Sequence, residues 1–161
     1  MRADPPRNFG LVSRRVLDQL AEIAAEDRGD RFARLPRWAP YRDRVICVAL
    51  CQGAAQHYVD RQNGVKDLDV WTFFAEHATG QFPPRWRRER VFELPPFEGH
   101  YVDLIGRSLA EPPGADPFEV VQRYLGGRRT ESAKRLAQKA VVILDPEPLR
   151  GEIAWPLKLE A

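Results

Sequence analysis

Apolar and polar positions follow each other along the chain with spacings that predict both helices and strands. Apolar residues at helical spacing predict a helix over about 13–27, with Ser13 as its N-cap and Gly29 near its end. The continuous apolar run over 44–51 is typical of a strand buried on both faces. Gln52 and Gly53 interrupt that run, so we expect the strand to end there.

Gly, Pro and Asn residues divide the remainder of the chain into shorter elements. Asp116 and Thr130 are suited to cap helices, and Pro117 fits a first helical position. The predicted elements are a helix over 54–62, strands over 67–74, 91–94, 101–105 and 141–144, and helices over 116–125 and from 130 onward. Their order predicts an α+β fold with a mixed central sheet flanked by helices. We expect a single domain over 1–161, with a core over about 44–145 and an extended C-terminal arm over 146–161.

The composition is typical of a globular protein. Of the 161 residues, 43% are hydrophobic and 30% are charged, and a chain of this length can bury a core without disulfides or metals. No apolar run approaches the roughly 18 residues that a membrane span needs. The N-terminus lacks the apolar region of a secretory signal, so we expect a cytoplasmic protein with no membrane partner. Cys47 and Cys51 lie four residues apart in an apolar run and are expected to be buried, reduced thiols.

Three aspartates carry the chemistry that we predict for this chain. Asp67 and Asp69 are two residues apart in a predicted strand, so their side chains point to one face. Asp103 is flanked by apolar residues in the same way, and it joins the other two if its strand lies beside theirs. Carboxylates this close together favour a divalent cation such as Mg²⁺. Three of them can hold two metal ions, the arrangement used for in-line phosphoryl transfer.

A phosphate site is predicted where the first strand turns into the following helix. Gly53 allows a ligand to approach the backbone closely, and the N–H groups at a helix start attract phosphate. Gln52 and Ala54 flank this glycine, and Lys66 precedes the first aspartate. Lys139 could reach a phosphate from a later helix, although most helix lysines are solvated. The anion site and the aspartates are complementary halves of a site for a nucleoside triphosphate.

The residues that make up these two halves resemble a known signature. Gly53-Ala54, then Asp67-Leu68-Asp69-Val70, then Val102-Asp103-Leu104 is similar to the core of the nucleotidyltransferase superfamily, which includes DNA polymerase beta, the aminoglycoside nucleotidyltransferases and the minimal nucleotidyltransferases of toxin–antitoxin pairs. The resemblance covers residues 44–108. It implies a nucleotidyltransferase-like mixed sheet, a nucleoside triphosphate substrate, two Mg²⁺ ions, and transfer of a nucleoside monophosphate to a hydroxyl. The acceptor, whether a small molecule, an RNA or a protein, stays open.

The resemblance also implies a role for each matching residue. Asp67 and Asp69 correspond to metal ligands. Asp103 corresponds to the third carboxylate, which completes the metal site and helps the acceptor hydroxyl to attack. Gly53 and Ala54 correspond to the pair that contacts the triphosphate. The family usually has Ser or Gly where this chain has Ala54, which removes a hydroxyl donor but keeps the backbone N–H.

Two other functions stay open at this stage. The same fold could be a noncatalytic binding module, antitoxin-like or partner-binding, in which Ala54 marks a degraded phosphate site. The segment from Arg85 to Arg90 places four arginines around Trp86, a pattern suited to nucleic acid or polyphosphate. The same pattern also fits a solvated loop with Trp86 packed at the edge of the core.

Overall fold

The fold is mixed α+β, which confirms the class predicted from the order of elements. The computed structural model describes residues 5–80, 82 and 87–156. The helices are α1 (Arg14–Arg34), α2 (Gln52–Asp60), α3 (Pro117–Gly127) and α4 (Glu131–Leu136), with short 3-10 helices at Pro36–Tyr41 and Glu147–Leu149. The strands are β1 (Val45–Cys51), β2 (Leu68–Ala75), β3 (Arg87–Val91), β4 (Tyr101–Leu109), β5 (Val141–Asp145) and β6 (Ile153–Trp155).

The strands of the described residues form one open mixed sheet, in the order β3-β4-β2-β1-β5-β6. β2 and β4 are parallel, whereas the other four neighbouring pairs are antiparallel. β3 lies at one edge of the sheet, and β4 lies between β3 and β2. This order brings the strands of the predicted acidic residues next to each other.

Apolar side chains cover both faces of the sheet and form two cores. On one face, α1 and α2 pack over residues such as Leu50 and Val70. On the other face, α3 and α4 pack over residues such as Cys47 and Trp71. Successive residues of β2 therefore belong to different cores, as expected for a strand that is buried on both sides.

Three predicted helix starts are confirmed by capping hydrogen bonds. Ser13, Asp116 and Thr130 each accept a hydrogen bond from the backbone N–H three residues later, at 3.3, 3.0 and 3.1 Å. Pro117 occupies the first turn of α3. These bonds join residues that are close in sequence, and local sequence signals therefore sufficed to predict them.

Two predicted bounds in the first half of the chain are wrong. Instead of ending near residue 27, α1 passes through Gly29 and continues to Arg34. Arg31 and Phe32, in the additional turns, are buried against the sheet. Burial of these side chains outweighs the cost of about 1 kcal/mol for a glycine inside a helix. The helix predicted over 54–62 begins at Gln52 and ends at Asp60.

Two predictions in the second half also need correction. The strand predicted over 91–94 lies at Arg87–Val91, where it pairs with β4. The predicted C-terminal arm is partly regular, because Ile153–Trp155 forms β6 and pairs with β5 at the other edge of the sheet. Residues 157–161 of that arm lie outside the described residues.

Candidate functional site

Two of the predicted aspartates are direct neighbours across the sheet. Asp69 in β2 and Asp103 in β4 are register partners in the parallel pair. Their Cα atoms are therefore about 5 Å apart and their side chains share a face. Asp103 is 1% exposed, whereas Asp69 is half-buried. Asp67 immediately precedes β2, and all three carboxylates line one cleft.

That cleft carries positive as well as negative side chains. It has a volume of about 330 Å³. Three groups line it: the acids Asp67, Asp69 and Asp103; the bases Arg7, Lys66, Arg135 and Lys139; and Gln52 and Gly53 at the start of α2. Over 5–80, 82 and 87–156, Arg7, Arg135 and Lys139 form no ion pair. Both kinds of charge therefore face a shared space that could admit a ligand.

The turn from β1 into α2 is built for a close approach to the backbone. Gln52 has a φ of 60°, a left-handed conformation that residues with a side chain rarely adopt. Among the described groups, no side chain caps α2. A Cβ at Gly53 would have the Nζ of Lys139 at 3.9 Å, and no other described atom outside its chain neighbours and the α2 backbone would lie within 4 Å. The start of α2 and the Lys139 ammonium both favour an anion at this point.

Ala54 has a different environment from its neighbour Gly53. Its methyl group is fully buried in the core that α1 and α2 cover. A contact between this residue and a phosphate would therefore have to go through the backbone N–H. Lys66 is exposed and lines the cleft.

The N-terminal segment is tied to the loop before β2. Asn8 and Val65 exchange two backbone hydrogen bonds, of 2.8 and 2.7 Å. The Asn8 side chain donates to the carbonyl of Pro96 at 2.7 Å, and Arg7 Nη1 donates to the carbonyl of Gly64 at 3.1 Å. These contacts place the Arg7 guanidinium at the cleft.

Two buried histidines form hydrogen bonds with backbone carbonyl groups near the cleft. His100 donates from Nδ1 to the carbonyl of Lys66 at 2.6 Å. The ring nitrogens of His57 lie 2.6 Å from the carbonyl oxygen of Asn63 and 3.0 Å from that of Gly10. Both histidines therefore have a structural role, since they fix the backbone next to the aspartates.

Sequence reasoning missed several residues of this region. Arg7 and Arg135 had no motif to mark them, because each reaches the cleft only through the tertiary fold. Glu89 in β3 is the register partner of Asp103, so it extends the acidic row by one strand. The predicted strand began at residue 91 and excluded it. Alternation along 87–91 could have separated Glu89 from Arg88 and Arg90, whereas its place beside Asp103 depends on the pairing of β3 with β4.

Two arginines of the predicted basic segment pair with acidic residues of α1. Arg88 and Arg90 pair with Asp27 and Glu26 of α1, each at 3.2 Å. They thus belong to the face of the sheet opposite the cleft. Arg85 and Trp86 lie outside the described residues.

The cysteines beside the site are buried and form no disulfide, as predicted. Cys51 is the register partner of Asp69 on the β1 side, and both cysteines are free and buried. Burial raises the pKa of the Cys47 thiol to about 12 and that of Cys51 well above its ordinary value. At Cys51 the negative charge of Asp69 adds to this effect. Both thiols therefore stay protonated at neutral pH and do not serve as nucleophiles.

The donor atoms of the cleft suit a hard cation. Carboxylate oxygens are the ligands that Mg²⁺ prefers, and Mg²⁺ usually keeps waters and substrate phosphates as further ligands. In the described part of the chain, no three Asp, Glu, His or Cys side chains form a group that could hold a metal ion by themselves. The donor chemistry therefore fits Mg²⁺ only if a substrate supplies part of the coordination.

Comparison with known proteins adds no family to this picture. The chain matches no protein-family model and no curated protein.

Among the described helices, none is both long and apolar enough to cross a membrane.

Proposed function

We propose that the protein is a Mg²⁺-dependent nucleotidyltransferase with a nucleotidyltransferase-like fold. It would transfer a nucleoside monophosphate from a nucleoside triphosphate to an acceptor hydroxyl. One observation carries this proposal: three carboxylates and several cations line the same cleft, beside the start of α2, which no described side chain caps. A phosphate chain that carries a divalent cation has charges complementary to both sets.

The triphosphate would bind to the basic part of the cleft. Arg135 and Lys139 are exposed side chains that point to it, and Arg7 is held at its rim by Gly64. Lysine and arginine bind phosphate through charge-assisted hydrogen bonds. The backbone N–H groups of Gly53 and Ala54 would add donors at the helix start, and Gln52 and Lys66 would flank them.

The divalent cation would be held by Asp67, Asp69 and Asp103. When bound, Mg²⁺ neutralises charge on the phosphate oxygens. Because Asp69 and Asp103 come from two adjacent strands, their spacing is set by the sheet and not by a flexible loop. Rigid placement of charged groups is the main source of catalysis in phosphoryl transfer.

Asp103 would be the base for the acceptor, the role that the resemblance implies for it. The acceptor hydroxyl would give its proton to the Asp103 carboxylate while its oxygen forms a bond with the α-phosphorus. The bond between that phosphorus and the oxygen of pyrophosphate breaks in the same step. Arg135 and Lys139 would stabilise the negative charge of the departing pyrophosphate.

Calorimetry with a non-hydrolysable ATP analogue and Mg²⁺ tests this proposal. The native chain should bind the analogue only with Mg²⁺. Asp69→Asn should weaken binding by about tenfold or more and lower nucleotide turnover by about 100-fold or more, since even outer-shell partners of a metal contribute 10–100-fold. Asp43→Asn, at an exposed aspartate after the first 3-10 helix, is the matched control and should change neither. Equal binding by the native chain and Asp69→Asn contradicts the proposal.

A second candidate function is a noncatalytic binding module of the same fold. Two observations favour it: Ala54 offers no hydroxyl, and no three described donor side chains form a complete metal site. The same calorimetry separates the two functions, because such a module would release no heat with ATP and Mg²⁺.

A further inference from the structure

The ring of His57 faces two backbone carbonyl groups from different segments of the chain. Its Nδ1 lies 2.6 Å from the carbonyl oxygen of Asn63, and its Nε2 lies 3.0 Å from that of Gly10. The residue is 2% exposed, so water has little access to either ring nitrogen. A carbonyl oxygen can only accept a hydrogen bond. Both contacts are therefore hydrogen bonds only when both ring nitrogens carry a proton, which is the imidazolium form.

The two carbonyl groups continue a short antiparallel ladder. Asn8 and Val65 form a bridge in which the backbone N–H of each residue donates to the carbonyl of the other. Two residues further along, the same register places Gly10 opposite Asn63. The Gly10 N–H donates to the Asn8 side chain at 2.7 Å and not across the ladder. The His57 ring thus takes the place of the next pair of backbone hydrogen bonds.

This ladder carries Arg7 to the candidate cleft. Arg7 directly precedes Asn8, lines the cleft, and donates to the carbonyl of Gly64 at 3.1 Å. The Asn8 side chain adds a hydrogen bond to the carbonyl of Pro96. A two-stranded ladder is marginally stable at best in water. The two hydrogen bonds from His57 double the number of hydrogen bonds that join the backbones of the two segments.

The charges around His57 favour its cationic form. His57 lies in the last turn of α2, where the helix dipole presents its negative end. The side-chain hydrogen bond from Gln56 lowers the pKa of the Asp60 carboxyl, and the positive charge of His57 adds to that shift. The cations on the elements packed against the ring are exposed, so solvent screens their repulsion. These cations are Arg7, Arg61 and Lys66.

We propose that His57 is a positioning residue for Arg7 and that it acts in its imidazolium form. The doubly protonated ring joins Gly10 to Asn63 and holds the N-terminal segment at the rim of the cleft. When the ring loses a proton, one nitrogen presents a lone pair to a carbonyl oxygen, and that contact becomes repulsive. The segment then detaches more readily. The effect on nucleotide binding rests on the proposed function, whereas attachment of the segment does not.

The pH dependence of this attachment has a definite sign. The attached state favours the proton on His57, because only the protonated ring donates to both carbonyl groups. The contribution of His57 is therefore complete below about pH 6.5, the ordinary value for histidine, and is lost progressively at higher pH.

Amide hydrogen exchange without nucleotide tests the attachment. The N–H groups of Asn8 and Val65 bond across the bridge, so their protection factors measure its opening. From pH 6 to pH 8, after correction for intrinsic exchange, protection should fall by about tenfold, the value of one hydrogen bond to a charged group. His57→Gln should give low protection at both pH values, since glutamine has one nitrogen. His77→Gln, at a histidine that contacts Thr79, is the matched control and should keep the pH dependence.

Nitrogen NMR of the native chain supplies a measurement that needs no variant. A long-range proton–nitrogen spectrum distinguishes protonated from unprotonated ring nitrogens. At pH 6, both ring nitrogens of His57 should be protonated while the Asn8 amide is protected from exchange. A neutral His57 ring together with a protected Asn8 amide overturns the inference, and so does equal protection of that amide at pH 6 and pH 8.

Calorimetry with the ATP analogue and Mg²⁺ tests the link to Arg7. At pH 6, His57→Gln and Arg7→Gln should each weaken binding by about tenfold. The double variant should bind no more weakly than Arg7→Gln alone, because both changes remove the same contact. Losses that add in the double variant overturn the positioning role. A chain that binds no analogue but keeps the pH-dependent protection of Asn8 contradicts the transferase and supports attachment through the imidazolium.

Discussion

Two clusters of charged residues, one on each face of the sheet, differ in how their charges are paired. On the α1 face, Asp27 lies 2.9 Å from Arg31 and 3.2 Å from Arg88. Arg31 also donates to the carbonyl of Leu104 at 3.2 Å. Asp27 and Arg31 are almost completely buried. The charges of Asp27, Arg31 and Arg88 are therefore paired within the fold.

The α3 face has cations without such partners. Within the described ranges, Arg7, Arg135 and Lys139 line an open cleft and form no ion pair. A cation in contact with solvent can exchange water for a phosphate at little cost, whereas a buried ion pair cannot open without losing several kcal/mol. The comparison supports a structural role for Asp27, Arg31 and Arg88, and it is the reason for proposing that the cations of the cleft bind a ligand.

Protonation of the buried pair agrees with a structural role. Burial lowers the pKa of Arg31 to about 10, so this arginine remains a cation at neutral pH. Burial also raises the pKa of Asp27, although the positive charges of Arg31 and Arg88 oppose that shift. Removing Asp27 would leave a buried cation next to the sheet.

The largest expected effect is a loss of stability when a charge on the α1 face is removed. Asp27→Ala should lower the free energy of unfolding by about 3–5 kcal/mol, because it leaves the Arg31 cation buried without its carboxylate. Urea denaturation measures the change. Asp18→Ala, in the exposed pairs with Arg14 and Arg150, is the control and should cost less than about 1 kcal/mol. Equal losses in the two variants would remove the distinction between the faces.

A smaller effect is expected from the cations of the cleft. Arg135→Ala and Lys139→Ala should each weaken binding of the ATP analogue with Mg²⁺ by about tenfold, the value of one hydrogen bond to a charged group. Both side chains are exposed, so the unfolding free energy should stay within about 0.5 kcal/mol of the native value. Lys134→Ala, at an α4 lysine that is paired with Glu131, is the control in calorimetry. A lower free energy of unfolding with unchanged affinity for the ATP analogue would show that these cations stabilise the fold and do not bind the ligand.

The smallest effect is expected in the alkylation of the two buried thiols next to the cleft. Iodoacetamide at pH 8 should leave Cys47 and Cys51 unmodified in the folded chain, since burial holds their pKa values far above that pH. Mass spectrometry of the intact protein measures the modification, and the urea-unfolded chain is the positive control. Rapid labelling of Cys51 in the folded state would show that the cleft extends below Asp69 into the core.

Local chemistry explains why some elements could be predicted and others could not. Asp116 and Thr130 cap their helices through hydrogen bonds to residues three positions away, so a short stretch of sequence contains both partners. Gly29 is a helix-ending signal by the same local criterion, but burial of Arg31 and Phe32 extends α1 beyond it. The strand predicted at 91–94 begins at 87, where pairing with β4 takes charged residues into the sheet.

The acidic residues of the cleft follow from the sequence, because alternation along a strand assigns Asp69 and its apolar neighbours to opposite faces without knowledge of the partner strand. The placement of Asp103 beside Asp69 depended on strand order, which only the tertiary structure decided. The positions of the cations around the cleft depended on the tertiary structure even more. Arg7 meets Gly64 across 57 positions of the chain. Lys139 lies in the turn after α4, not on the helix predicted from its sequence, and it meets Gly53 because α4 packs on the same face as the cleft. Contacts between residues this far apart arise from the packing of whole elements, and no pattern within a short segment specifies them.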